Sequence, residues 1–390
     1  MEVITETKAG FQKTKFGIAP IDWPIKKLGD VCVNFKSGNS ITSESISSIG
    51  KYPVYGGNGL RGYSSEFTHE GDYFLIGRQG ALCGNIVRIT GKNFVSEHAI
   101  AVQTDTENDL DFLSYRLEHL KLNRLSESSA QPGLSVKRLI GLKLAFPPLP
   151  EQQKIAEILS TWDRAIEKTQ NLIQQLQLRK KGLMQQLLTG RKRLSGFDGG
   201  VTLTKLKGLL KEKSDRNKSL GVKRVLSVTN SRGFINQSEQ FDRKVASKDL
   251  SNYKIVRKGQ FAYNPSRVNV GSIDLLRNFD EGLLSPMYII FETDDRILNP
   301  DFLYYQLKTW WFIGHIPQFV QGSVRDSLSF DGLESMSFYI PSLEEQKAIA
   351  SVIETADQEI SLQQEYLEQL QSQKKGLMQQ LLTGKIRVKL

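Results

Sequence analysis

The run Lys180-Lys181-Gly182-Leu183-Met184-Gln185-Gln186-Leu187-Leu188-Thr189-Gly190 occurs again, residue for residue, as Lys374 to Gly384. The offset, 374 less 180, is 194 residues. Held at that offset without a gap, Pro147, Leu149, Glu151, Gln152, Ile155, Ala156, Thr161 and Asp163 meet Pro341, Leu343, Glu345, Gln346, Ile349, Ala350, Thr355 and Asp357, so the repeat spans at least the 44 residues from 147 to 190. Fainter echoes precede it: Asp111 to Leu117 is answered by Asp301 to Leu307, and Leu134-Ser135 by Leu328-Ser329. A repeat of this length means one structural unit built twice: a variable globular domain followed by a similar tail.

Each tail reads as a long helix. Ile155, Leu159, Trp162, Ile166, Ile173, Leu176, Leu183 and Leu187 recur at helical spacings, and Ile349, Ile353, Ala356, Ile360, Leu367, Leu370, Leu377 and Leu381 keep the same register. Pro150 marks one start; Ser342 with Glu345 three residues on, a capping-box spacing, marks the other. Gly190 and Gly384 fall where a left-handed C-cap belongs. Gly182 and Gly376 interrupt the pattern at a cost of about 1 kcal/mol each relative to Ala, which calls for a close helix crossing or a kink. Such seams need a partner, and the nearest is the other copy. Because the first helix leaves domain 1 and the second starts from domain 2, pairing within one chain predicts an antiparallel rod with a globular domain at each end. Thr169, Gln363, Lys180 and Lys374 break the seam with polar side chains, as solvated interruptions, register pins or contacts to another protein.

The composition supports a soluble protein of two or three domains. Among 390 residues, 52 Lys and Arg stand against 42 Asp and Glu, a net charge of +10, and 39% of residues are hydrophobic. The longest apolar runs, such as Met287 to Phe291, are far too short to cross a bilayer, and Met1 to Gly10 lacks the apolar stretch of a secretory signal; a cytoplasmic address is expected. Cys32 and Cys83 cannot build a disulfide framework. Eleven Lys or Arg and three acids lie between Arg191 and Arg224, which reads as a solvated linker or as a phosphate-facing arm. Short strand-like runs (Tyr73 to Ile76, Ile86 to Ile89, Met287 to Phe291) and helical stretches (Asp111 to Leu122, Asp301 to Trp311) make the globular parts mixed α and β.

Catalytic chemistry leaves no clear mark. His69, His98, His119 and His315 are scattered, with no metal-ligand spacing, and there is no GxxxxGK[ST] phosphate cradle. Asn264-Pro265-Ser266-Arg267 has the wrong last two residues for the tetrad of amino-methyltransferases. Pro300, Asp301, Glu345 and Lys347 imitate a nuclease pattern, but helix capping explains those acids better.

The domains do offer donor-rich loops. Asn58 and Arg61 sit in the Gly-rich stretch Tyr52 to Tyr63, and Arg78 and Gln79 follow in Gly77-Arg78-Gln79-Gly80. Domain 2 answers with Arg232 in Asn230-Ser231-Arg232-Gly233, with Asn264, Arg267 and Asn269 between Asn264 and Gly271, and with Arg325 in Gly322-Ser323-Val324-Arg325; Ser128-Ser129-Ala130-Gln131 is the matching stretch of domain 1. Arg and Asn or Gln can make bidentate contacts to guanine and adenine edges, and glycine lets a backbone approach a groove. Taken singly, each stretch reads first as a surface turn. As two parallel sets on a basic protein they mark candidate DNA contacts, with Arg78 and Arg267 foremost.

The doubled Pro-x-x-x-Glu-Gln start, the long helix and the repeated Lys-Lys-Gly-Leu-Met-Gln-Gln-Leu-Leu-Thr-Gly end resemble the specificity subunit of type I restriction-modification systems. The likeness spans nearly the whole chain and is specific in the tails. It implies an α+β fold of two mixed α/β target recognition domains, each followed by a long helix, the helices pairing as an antiparallel coiled coil with pseudo-twofold symmetry. The expected organisation is an N-terminal arm (1–20), recognition domain 1 (21–146), a central helical region (147–190), a basic linker with recognition domain 2 (191–340) and a distal helical region (341–390). The resemblance also implies a non-catalytic subunit that reads one half of a split, asymmetric DNA target with each domain. It would dock two methylation subunits carrying S-adenosylmethionine, and restriction subunits that use ATP and Mg; this chain itself is expected to bind no cofactor and no metal. Gln174, Gln175, Arg179 and Gln185 are candidate docking residues. One departure stands out: domain 1 opens with Asp22-Trp23-Pro24, whereas Thr204-Lys205-Leu206 of domain 2 has no Trp. The rival from another class is a coiled-coil scaffold displaying two protein-binding domains, which would bind DNA only through the salt-dependent electrostatic term.

Overall fold

The computed structural model describes residues 10–80, 82–126, 132–239, 249–320 and 327–390. The chain divides into two units, Met1–Gln170 with Glu365–Leu390 and Asn171–Gln364. Both contain part of a central helix, Leu149–Leu187, and part of a distal helix, Leu343–Leu381, each of 39 residues.

Within each unit the two helices run antiparallel. In unit 1, Asp163 of the central helix meets Lys374 at 2.6 Å while Glu151, earlier in that helix, meets Arg387, later in the chain, also at 2.6 Å. In unit 2, Lys180 meets Asp357 and Arg193 meets Glu345. One partner ascends as the other descends, and every residue of one set lies 194 positions from its counterpart in the other. The apolar seam closes behind these pairs. Ile155 and Leu159 are buried with Met378, Leu381 and Leu382 in unit 1, and Leu187 and Leu188 with Ile349, Ala350 and Ile353 in unit 2.

Three of the seam's four polar interruptions find partners within the fold. Lys180 pairs with the Asp357 carboxylate and Lys374 with that of Asp163, and buried Thr169 returns its hydroxyl to the Ala165 carbonyl at 2.9 Å. Gly190 and Gly384 take positive φ values of 70° and 68°, as a left-handed C-cap requires. Gly182 and Gly376 correct the expectation of a close crossing: a Cβ at either would meet nothing within 4 Å.

The Pro-x-x-x-Glu-Gln motif joins helix to globular domain. Gln152 donates to the Pro147 carbonyl and accepts from the Asp109 amide, both at 2.9 Å. Gln346 does the same with Pro341 at 2.9 Å and Asn299 at 2.8 Å. Ser342 accepts from the Glu345 amide at 3.4 Å, half of a capping box. The other half is missing because the fully buried Glu345 carboxylate faces Arg193, whose Nε is 2.6 Å from Oε1. The basic cluster is correspondingly less free than its charge suggests: Lys213 pairs with Glu292, and Arg224 lies over Phe279.

Both units share one sheet plan. An antiparallel sheet in unit 1 has the strand order Cys32–Ser37, Ala99–Thr104, Tyr73–Gly77, Ile86–Ile89; in unit 2 the order is Leu210–Lys213, Ile289–Thr293, Phe261–Tyr263, Ile273–Leu275. Beside it, Tyr52–Gly56 pairs antiparallel with Gly59–Ser64 and parallel with Lys92–Val95. The counterpart hairpin Leu226–Thr229 and Gly233–Asn236 makes a single parallel bridge, Val225 to Leu283. Ile25–Lys27 pairs with Lys143–Ala145, and Thr202–Lys205 with Ser337–Ile340, delivering the chain to each long helix. The stretch from Asp301 to Trp311, expected as one helix, is two, Pro300–Leu307 and Trp310–His315, because Thr309 caps the second through the Phe312 amide.

The missing Trp changes the entry packing. In unit 1 Trp23 is fully buried, and Pro20 and Trp23 lie against Gly384. In unit 2 Val201 lies against Gly190.

Candidate nucleic-acid interface

In unit 1 the strand Tyr73–Gly77 runs out into Arg78-Gln79-Gly80, and three loops meet there. The Arg78 amide donates to the His98 carbonyl at 2.9 Å, and the Leu134 amide donates to the Arg78 carbonyl at 2.9 Å. The hairpin tip Gly57-Asn58 presses on the same point. A Cβ on Gly57 would lie 2.8 Å from the His98 oxygen, and one on Gly77 would lie 2.5 Å from the Gly57 oxygen. Glycine is required at both positions by backbone approach. Arg61 extends across Gly56 beside Ser96. Asn58, Arg61 and Gln79 are exposed and Arg78 is half-buried, so the fold gathers all four residues at one end of the domain.

Unit 2 repeats the arrangement with different residues. Phe261–Tyr263, the counterpart of Tyr73–Gly77, runs out into Asn264-Pro265-Ser266-Arg267 and a 3₁₀ turn, Val268–Val270, ending at Gly271 with φ 88°. Asn264 organises the loop, accepting from the Ser266 amide through its side chain at 3.1 Å and from the Arg267 amide through its carbonyl at 3.0 Å. The hairpin tip bearing Arg232 closes on it. Asn230 lies 3.5 Å from where a Gly271 Cβ would be, and Ser272 donates to the Val228 carbonyl at 2.7 Å. Arg232, Arg267 and Asn269 are exposed, Arg232 with Glu239 at 3.8 Å. Arg325, and the stretches 128–131 and 322–325, lie outside the described residues.

The comparisons with known proteins agree with this duplicated geometry. The profile of the type I restriction modification DNA specificity domain matches residues 20–178 and 278–372, more than half of the chain. The chain belongs to the type I restriction-modification specificity family. One relative in that family is the type I restriction enzyme EcoprrI specificity subunit of Escherichia coli, 40% identical over 142 residues; the match spans 35% of each protein. Another is the type I restriction enzyme MjaVIII specificity subunit of Methanocaldococcus jannaschii, 24% identical over 95% of this chain and 94% of that one. Among solved structures, the type I restriction-modification system S subunit from M. genitalium superposes with TM-score 0.64 at 18% identity, covering 93% of this chain and 96% of that one. A chain from a structural study of type I complex assembly and conformational transition reaches TM-score 0.53 at 15% identity, covering 94% and 99%.

Two further polar side chains flank these loops. His98 places Nδ1 3.3 Å from Gln79 Oε1 and Nε2 3.3 Å from Glu97 Oε1, tying the amide of Gln79 to the turn between two strands. In unit 2 the Tyr288 hydroxyl sits beside Asn264, Arg267 and the Val228 backbone; burial raises its pKa and those three neighbours oppose the rise. Neither residue stands out in the sequence. In the sequence His98 is a lone imidazole without metal-ligand spacing, and Tyr288 lies inside the apolar run Met287 to Phe291. Among the described residues, no group of three or more His, Cys, Asp or Glu is placed to hold a metal ion, and no helix is long and apolar enough to cross a membrane.

Proposed function

We propose that this chain is the sequence-reading subunit of a type I restriction-modification complex: each globular domain reads one half of a split, asymmetric DNA target, and the helices dock methylation and restriction subunits that carry the chemistry. The observation that carries the reading is the convergence, in each unit, of a hairpin tip with the loop following the same strand of the same sheet. Each convergence bears Arg with Asn or Gln. The two sets differ, Asn58, Arg61, Arg78 and Gln79 against Arg232, Asn264, Arg267 and Asn269, and unlike readers suit unlike half-sites. Docking is supported by apolar side chains that the helices leave in solvent: Leu172, Leu178 and Leu362 are 40%, 68% and 63% exposed, next to Gln174, Gln175 and Arg179.

The test is selection from a randomised duplex library by the purified chain with its methylation subunit. Enrichment of two unlike base clusters at fixed separation is expected. Equal retention of all sequences, with only a steep salt dependence, would instead favour a scaffold.

A further inference from the structure

Unit 2 contains an open groove of about 1040 Å³ between the central helix, the helix Trp310–His315 and the strand pair that delivers the chain to the distal helix. Met184 and Leu188 line its helix side; Trp310, Leu203 and Tyr339 line the other walls at 74%, 58% and 46% exposure; Lys181 lies exposed on it. Three large apolar side chains left in solvent around one concavity mark an interface.

The internal repeat shows what such a surface receives. In unit 1 the helix side is identical, since Lys374 to Gly384 repeats Lys180 to Gly190. The positions answering Trp310, Tyr339 and Met184 are Leu120, Ala145 and Met378, only 3%, 1% and 8% exposed, while Ile25, which answers Leu203 across the strand pair, keeps 43% exposure at the rim. They share a core cluster with the N-terminal hairpin Phe11–Thr14 and Gly17–Pro20, through Ala19 and Phe16. Pro20 lies against Gly384, and Phe16 lies 5.9 Å from the Arg124 guanidinium, so the hairpin sits beside both the end of the distal helix and the segment that follows Leu120. No such hairpin stands before Thr202–Lys205: among the described residues, 191–201 hold no strand. The place that unit 1 fills with its own aromatic hairpin is open in unit 2, and its walls carry larger apolar side chains.

We propose that this groove receives a short apolar segment of the methylation subunit, bearing an aromatic side chain and a flanking carboxylate. The proposal rests on the docking part of the function proposed above. The aromatic follows from the Phe16 precedent and the Trp310–Tyr339 walls. The carboxylate follows from charge: Lys180 is paired with Asp357 and Lys308 with Asp274, which leaves the exposed Lys181 ammonium for the occupant. Because the unit 1 site is already filled, the groove holds one methylation subunit and not both.

Native mass spectrometry of the full chain co-purified with its methylation subunit tests this, using Trp310→Asp combined with Leu203→Asp, both at exposed positions. The wild type is expected to carry two methylation subunits and the variant one, with binding of the second weakened about thirtyfold or more. A far-UV circular dichroism spectrum and a urea midpoint matching the wild type show that the variant is folded. A variant that keeps both copies overturns the groove and leaves docking intact. A variant that loses both shows that the effect is not local to the groove, which also overturns the proposal. A wild-type chain that binds no methylation subunit overturns the docking reading and the groove with it. Self-association of the wild-type chain alone, abolished in the variant, makes the occupant a second copy and overturns the assignment.

Discussion

Arg387 donates through Nε to Glu151 Oε1 at 2.6 Å and through its second terminal nitrogen to Glu151 Oε2 at 2.7 Å, a two-pronged pair that ties the residues after the distal helix to the start of the central helix in unit 1. Glu151 is almost fully buried while Arg387 keeps 42% exposure, so removing the cation strands a carboxylate that water reaches poorly. Arg387→Ala is expected to destabilise unit 1 by about 2–3 kcal/mol, at or below the low end for a broken buried pair because the Arg is partly solvated. Urea unfolding followed by Trp fluorescence measures it. A change within about 0.5 kcal/mol of zero would show that the pair is not needed to hold the helix end.

Arg78 and Arg267 follow corresponding strands in the two units. If each reads a base, Arg78→Ala should weaken binding to duplexes carrying one half-site by about 1–3 kcal/mol and Arg267→Ala should do so for the other half only. Competition titrations against half-site-scrambled duplexes separate the two. Equal loss on specific and random DNA would reassign either residue to a phosphate contact.

Gly57 has no room for a methyl group, with the His98 oxygen 2.8 Å from the Cβ position. Gly57→Ala must push the Asn58 tip away from Arg78. The expected result is a domain that folds with unchanged core unfolding but loses discrimination at the unit 1 half-site at least tenfold, since a good base contact carries about 1–3 kcal/mol. Unaltered discrimination would mean that the hairpin tip does not position the reading loop.

Acid should loosen unit 1. His119 is held below the ordinary value of 6.5 first by burial, then by the positive charges of Arg116, Arg124, Lys121 and Lys385; burial also lowers His69. The folded state then binds fewer protons than the unfolded chain, so this contribution is fully present above pH 6.5 and is lost as pH falls below it. Urea midpoints should drop between about pH 7.5 and about pH 5.5, and His119→Gln should flatten part of that slope. A variant with the wild-type slope would remove His119 from the account.

The helical half of this architecture was readable because a repeat at an offset of 194 residues copies the residues that pair: Asp163, Asp357, Lys180 and Lys374 all lie inside it. Their partnerships were not readable, since an antiparallel pair joins positions far apart in sequence, and Lys180 looked like an interruption until Asp357 was placed beside it. Arg193 likewise read as linker charge, although it stands 194 residues before Arg387 and answers a buried Glu as Arg387 does. In the globular parts, local strand signals located Tyr73–Gly77 and Ile86–Ile89, and the glycine-rich loops pointed to where donors gather. What sequence could not supply was the packing of Gly57 on His98 or of Asn230 on Gly271, because those contacts depend on which strands lie side by side.

The most direct test of the central claim is to express this chain with its methylation subunit in a host free of other DNA methylation and to sequence the genome with base-modification detection. The account predicts a single split motif with two defined, unlike halves at a fixed spacing, one half relaxing in Arg78→Ala and the other in Arg267→Ala. A stable complex, supplied with S-adenosylmethionine, that modifies no motif or modifies sites without sequence preference would contradict it.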